Sequence, residues 1–129
     1  MLQRALTVSG GGGGATLLWE NSTNKLSAQT LTIPNLDNYD VILFYMYDET
    51  DYGSDNLAYT GMALSDLATE KAVGWTSKQP NYTYSAYRLV THSGTNQLTI
   101  STGHYYRAGS SDSTSTGYGV PMKIYGIKL

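Results

Sequence analysis

The sequence predicts an all-β chain: a single antiparallel β-sandwich, jelly-roll-like in its strand count, preceded by a Gly-rich N-terminal arm. Three observations carry this. Of 129 residues, twelve are Tyr and 14 are Gly, while Phe occurs once and charged residues make up 14%. A Tyr-, Thr- and Gly-rich, charge-poor balance suits pleated, half-buried surfaces. Short apolar or alternating runs recur along the whole chain, divided by Gly, Asn, Asp, Ser and Pro. Eight or so strands at such spacing in one domain point to a sandwich.

The elements follow in order. Residues 1–14 form the arm, and 15–129 the sandwich domain. In the arm, the apolar Met1, Leu2, Ala5, Leu6 and Val8 precede Gly10, Gly11, Gly12, Gly13 and Gly14. Five consecutive glycines form a flexible tether, and an apolar tip on a tether is an anchor for another subunit. "ATLLWE" (15–20) is a short strand. "AQTLTI" (28–33) alternates, with Gln29, Leu31 and Ile33 on one side, and Pro34 ends it. "DVILFYMY" (40–47) is apolar on both sides, the pattern of a central strand covered on both faces. "LAYTGMAL" (57–64) is a strand. In "SDLATEKA" (65–72), Ser65 is a cap candidate for a helical turn, with a plain β connection as the alternative. "VGWTSK" (73–78) is a strand carrying Trp75. "TYSAYRLVTH" (83–92) sets Tyr84, Ala86, Arg88 and Val90 against Ser85, Tyr87, Leu89 and Thr91. "SGTN" (93–96) turns the chain into "QLTISTGHYY" (97–106). Residues 107–119 read as a long polar loop, and "VPMKIYGIKL" (120–129) as the last strand.

Several function classes fall away. The net charge of -2 gives no basic steering toward nucleic acid or an anionic membrane. The absence of Cys removes disulfide frameworks and thiolate metal sites. "MLQRALTVSG" lacks the continuous apolar run of a signal peptide, so the chain reads as made and used without export. His92 and His104 fit no zinc spacing. The acidic stretch Asp48, Glu49, Asp51, Asp55 and Asn56 lacks the closing ligand of an EF-hand and reads as a solvated turn. No nucleophile motif or acid–base pair stands out, so neither enzyme nor cofactor is expected. Aromatic residues are the remaining signal, because they join apolar area to a polar handle. Trp75, Tyr82, Tyr84, Tyr105, Tyr106 and Arg107 are the candidate ligand contacts, with a surface glycan as the ligand class.

Leu18-Trp19, Ala28-Gln29-Thr30, Leu36 through Tyr39-Asp40, and the closing Ile124-Tyr125-Gly126-Ile127-Lys128 form a set, preceded by Leu6-Thr7-Val8 and the glycines. This set resembles the small β domains of tail-fibre, receptor-binding and minor structural proteins from phages and prophages of Gram-positive, often gut, bacteria. The resemblance covers both ends and the first third of the chain; residues 48–106 match in strand character alone. Its motifs are structural and imply no catalytic or receptor-contact residue. It implies a non-enzymatic virion protein, made in the bacterial cytoplasm and carried on the particle surface. Such a protein works as a homo-oligomer, a trimer being favoured, joined to other virion proteins through Leu2, Leu6 and Val8. Two other roles stay open: a capsid or tail decoration (head-fibre) protein without a ligand, and a stand-alone carbohydrate-binding module.

Overall fold

Period-two alternation in the longest strand sets the layering. In Thr83–Gly94, the side chains of Tyr84, Ala86, Arg88 and Val90 are buried, and those between them face outward. A computed structural model describes residues 14–48, 57–78 and 80–129. The arm residues Leu2, Leu6, Val8 and Gly10 to Gly13, and the acidic stretch after Asp48, lie outside the described residues.

The strands are β1 (Thr16–Glu20), β2 (Gln29–Thr32), β3 (Val41–Tyr47), β4 (Leu57–Ala63), β5 (Lys71–Lys78), β6 (Thr83–Gly94), β7 (Gln97–Ile100), β8 (Gly103–Arg107), β9 (Asp112–Ser115) and β10 (Val120–Ile127). Sheet A runs β1-β10-β3-β4, so the first strand pairs with the last and the last with the third. Sheet B has β6 at its centre. β5 lies on one edge of β6, β7 and β8 follow each other along the opposite edge, and β2 and β9 lie outside them. All these pairings are antiparallel. The expected all-β sandwich is therefore the observed fold.

The core lies between the sheets. Ile42, Phe44 and Met46 of β3 and Ile124 of β10 meet Val73, Val90, Leu98 and Ile100 of sheet B. Each such side chain, fully buried, contributes roughly 1.5–3 kcal/mol. Where the sheets meet at one side, Thr60 Oγ1 donates to the Gly74 carbonyl at 2.8 Å, tying the two edge strands β4 and β5 together.

Four local features differ from the sequence reading. The segment after β4 is a 3-10 turn, Leu64–Ala68, with no side-chain cap; Ser65 lies inside it while Leu64 and Leu67 are buried. The run 97–106 is broken between Ile100 and Gly103. The polar loop after Arg107 contains a strand, β9. Asp48 is fully buried rather than solvated, and its carboxylate accepts from the Gly119 amide at 3.1 Å.

The break and the polar loop have one physical reason. Arg88 is fully buried in sheet B, facing the core. Its Nε donates to the Tyr118 carbonyl (2.9 Å), one terminal nitrogen to Leu26 (2.8 Å) and Ser101 (3.0 Å), and the other to Thr116 (3.0 Å). The kink at Ser101 turns that carbonyl out of the ladder and toward the guanidinium. Ser101 Oγ then takes the Leu89 amide at 2.8 Å. Gly103 lets the turn after β9 close in, since a Cβ there would stand 1.9 Å from the Tyr118 carbonyl oxygen. Burial pushes the Arg88 guanidinium down to about 10, which leaves it charged at neutral pH.

Replacing Arg88 strips partners from carbonyls of three connections. Arg88→Met is expected to cost about 3 kcal/mol or more, since each buried polar group left unpaired costs about 1–3 kcal/mol. Arg88→Lys recovers only part of this, because one ammonium does not span the guanidinium's fork. Urea midpoints read both variants; an Arg88→Met chain of wild-type midpoint would remove Arg88 from this role.

Candidate functional site

The outer face of sheet B is built by cross-strand rows. In one row Gly74, Tyr87, His104 and Thr114 stand side by side on β5, β6, β8 and β9. In the next stand Thr76, Ser85, Tyr106 and Asp112. The Tyr87 and His104 rings are stacked, with centroids 4.9 Å apart and planes within 8°. That separation equals the spacing of neighbouring strands, about 4.7–4.9 Å. The two rings therefore stand upright on their strands, like adjacent books. His104 covers one face of Tyr87, and the other face looks across Gly74, which has no side chain to fill the space.

The result is a groove of about 360 Å³ lined by Gly74, Trp75, Thr76, Ser85, Tyr87 and Tyr106, with Ala72 at its end. The volume is at the lower end of the range for small-molecule sites, about 300–1,000 Å³. Thr76 Oγ1 and Ser85 Oγ are hydrogen-bonded at 2.9 Å, placing a hydroxyl pair beside the aromatic wall. Glycine at 74 is dictated by close approach: a Cβ there would lie 2.0 Å from the Ala86 carbonyl oxygen.

Asp112 organises the wall. Its Oδ2 is 2.7 Å from His104 Nδ1, and it accepts a hydrogen bond from the Tyr87 hydroxyl. The Tyr87 phenol is held above its ordinary value of 10.0, first by burial, then by the charge and hydrogen bond of Asp112. His104 thus has one ring face taken by Tyr87 and Nδ1 taken by Asp112. The group works as a fixed aromatic platform with a carboxylate at its rim.

The six aromatic and arginine candidates divide between two places. Tyr106 lines the groove with its side chain, whereas Trp75 stands opposite the buried Ala86, so its side chain is on the inner face and packs against the core. Tyr82, Tyr84, Tyr105 and Arg107 form a stack elsewhere. Tyr84 and Tyr105 are stacked with centroids 5.0 Å apart, Tyr82 lies 6.3 Å from Tyr84, and Tyr118 continues the stack 5.5 Å from Tyr105. The Arg107 guanidinium sits 4.0 Å from the Tyr82 ring centroid. Tyr84 is buried on the inner face, where it packs. Sequence reasoning missed Gly74, Thr76, Ser85 and Tyr87 as groove residues, and Asp112 as the residue that holds the groove's aromatic wall. The usable signal was alternation: Tyr87 stands opposite in phase to Tyr84, and so on the outer face.

His92 belongs to a different cluster. Its Nε2 is 2.7 Å from Asp37 Oδ1, while Asp37 and Asn96 exchange backbone-to-side-chain bonds of 2.9 and 3.1 Å. This clamps the 3-10 turn Leu36–Asn38 to the β6–β7 turn. No group of three or more metal-binding side chains occurs among the described residues. Comparison of the chain with protein-family models, with curated proteins and with solved structures finds no match.

Two expected outcomes test this geometry. Asp112→Asn removes the charge that helps hold the Tyr87 phenol high, so its pKa falls toward 10; carbon-13 NMR titration of labelled Tyr reads it. Gly74→Ala is expected to destabilise the fold by roughly 1–3 kcal/mol through overpacking, read as a lower urea midpoint.

Proposed function

We propose that this chain is a non-enzymatic phage virion protein whose sandwich attaches the particle to a glycan on the bacterial surface. The observation that carries the binding half is the open Tyr87 ring face above Gly74, flanked by Tyr106 and the Thr76–Ser85 hydroxyl pair. A sugar ring has an apolar C–H face and a rim of hydroxyls. Such a ring stacks on an upright aromatic wall while its hydroxyls meet Thr76, Ser85 and Asp112. The virion half is supported by the resemblance at Leu18-Trp19, Ala28-Gln29-Thr30 and residues 124–128.

A shallow groove binds one sugar weakly. Many copies on one particle, joined through the arm, convert weak sites into firm attachment by effective concentration.

Binding of purified chain to isolated host cell-wall glycans, displayed at high density, tests the reading together with immunogold labelling of particles. Gold at the tail tip and retention by the glycan are expected. Tyr106→Ala is expected to weaken retention about tenfold, equivalent to about 1.4 kcal/mol. Gold spread over the head with no glycan retention would replace attachment by decoration. Glycan retention without gold on any particle would leave a stand-alone binding module.

A further inference from the structure

The groove continues into a longer face of sheet B. Its lining on β5 is Ala72, Gly74 and Thr76, and on β6 Ser85 and Tyr87. Every second residue of a strand points the same way, so the long axis of the groove follows the strands. Register carries this outer face onward along β6. After the Tyr87 row comes Leu89, with Ala72 beside it on β5. After that comes Thr91, with Thr99 of β7 and then Thr30 of β2 beside it. Between Ser85 and Thr91 the strand advances about 20 Å at about 3.3 Å per residue. That length takes several sugar rings end to end.

The two rows beyond the groove have a chemistry of their own. Leu89 is half-buried and Ala72 exposed, so an aliphatic step follows the aromatic wall. At the next row the hydroxyls are wired together. Thr99 Oγ1 donates to Ser93 Oγ at 2.7 Å and lies 2.8 Å from Thr30 Oγ1. A hydroxyl has one hydrogen to give. Thr99 gives its own to Ser93, so Thr30 donates to Thr99. The chain of bonds therefore ends in lone pairs at Thr30 and in a hydroxyl hydrogen at Ser93. Thr30, Ser93 and Thr99 are all exposed. Two neighbouring hydroxyls of a sugar offer the reverse, one donating and one accepting.

We propose that this face takes a linear, uncharged glycan laid along β6. One sugar sits in the groove, and the following ones lie over Leu89 and the Thr30–Thr99–Ser93 chain. This rests on the glycan reading of the groove and names the class of polymer. Two features select that class. Hydroxyl pair, ring face, aliphatic step and hydroxyl chain succeed one another along a single strand, as hydroxyl edges and C–H faces succeed one another along an unbranched sugar chain. Neither row beyond the groove contains a charged side chain, so a phosphate-bearing polymer meets no cation there. Each further sugar adds contacts without a second cost of bringing a molecule to the surface. Affinity therefore grows with chain length.

The nitrogen-15-labelled full chain, titrated in NMR with cello-, N-acetylchito-, malto- and laminari-oligosaccharides from single sugars to hexamers, tests this. In one series or more, short members are expected to shift the amides of Ser85 and Tyr87. Longer members are expected to extend the shifts to Leu89, Thr91, Thr99 and Thr30, with the hexamer binding about tenfold more tightly than the dimer. Thr91→Val with Thr99→Val keeps both side chains β-branched and is expected to hold the urea midpoint while the hexamer loses its advantage over the dimer. Binding confined to Ser85 and Tyr87, with no gain from length, would overturn the track and leave the groove as a single-sugar site. Spectra unmoved by every series would overturn the track and the glycan reading together. Shifts at Thr91 and Thr99 from polyglycerol phosphate, and not from the neutral chains, would overturn the uncharged class. A double variant that retains the full gain from length would show that these hydroxyls hold no sugar.

Discussion

The buried guanidinium of Arg88 is the constraint on which the connections depend. A charge inside a sandwich is tolerable only when its donors are used. Here no carboxylate is among its hydrogen-bond partners; the four acceptors are carbonyls of Leu26, Ser101, Thr116 and Tyr118. Each of those carbonyls must be released from strand pairing to reach it. That requirement explains why the β1–β2 link comes inward at Leu26, why β7 and β8 are two strands rather than one, and why the chain between β9 and β10 turns back over Gly103. Leu26 and Thr116 are also joined to each other, amide to carbonyl, at 2.9 Å. The arginine thus replaces a hydrophobic plug with a polar knot that accepts only one arrangement of its loops.

The two sheets have been put to different uses on their outer sides. Sheet B faces outward with hydroxyls, a histidine, a carboxylate and upright tyrosines. Sheet A faces outward with Leu, Ile, Val and tyrosines, and it pairs its charges at one corner. Both inner faces meet in one core, so the inner positions give little room for variation in character. The outer positions carry the difference, and in β3 they make a strand that is apolar on both sides.

Much of this was legible in the sequence, for reasons that differ by element. β6 announced itself, because its alternation of Tyr84, Ala86, Arg88 and Val90 with Ser85, Tyr87 and Leu89 is the physical pleat. β3 could be recognised as apolar on both sides, because Leu43 and Tyr45, which belong to a hydrophobic cluster of their own, alternate with the core residues Ile42, Phe44 and Met46. β9 was hidden, since Asp-Ser-Thr-Ser pairs at a sheet edge with no buried face to demand apolar residues. The break at Ser101 was hidden too. It answers to Arg88, thirteen residues away, and no local pattern reports a carbonyl claimed by a distant charge. The groove was half visible. Aromatic abundance gave Tyr106, but phase within a strand separates a platform from a packed stack, and it puts Trp75, opposite Ala86, on the inner face. Tyr87 could be chosen over Tyr84 only by asking which face of β6 each occupies. Gly74 reads as a weak spot in a strand until the ring beside it is known.

The register of β1 against β10 sets Thr16 opposite Gly126, so both ends of the described chain leave the same pole of the sandwich. This has a mechanical consequence. A pull between Gly14 and the groove on sheet B runs along β1, and the hydrogen bonds joining β1 to β10 share the load together in shear. A pull between Gly14 and Leu129 acts on two neighbouring strands at one end and opens the same bonds pair by pair, like a zip. The same ladder is therefore strong under one loading and weak under the other. A domain of this geometry resists force best when held at one terminus and gripped on its face.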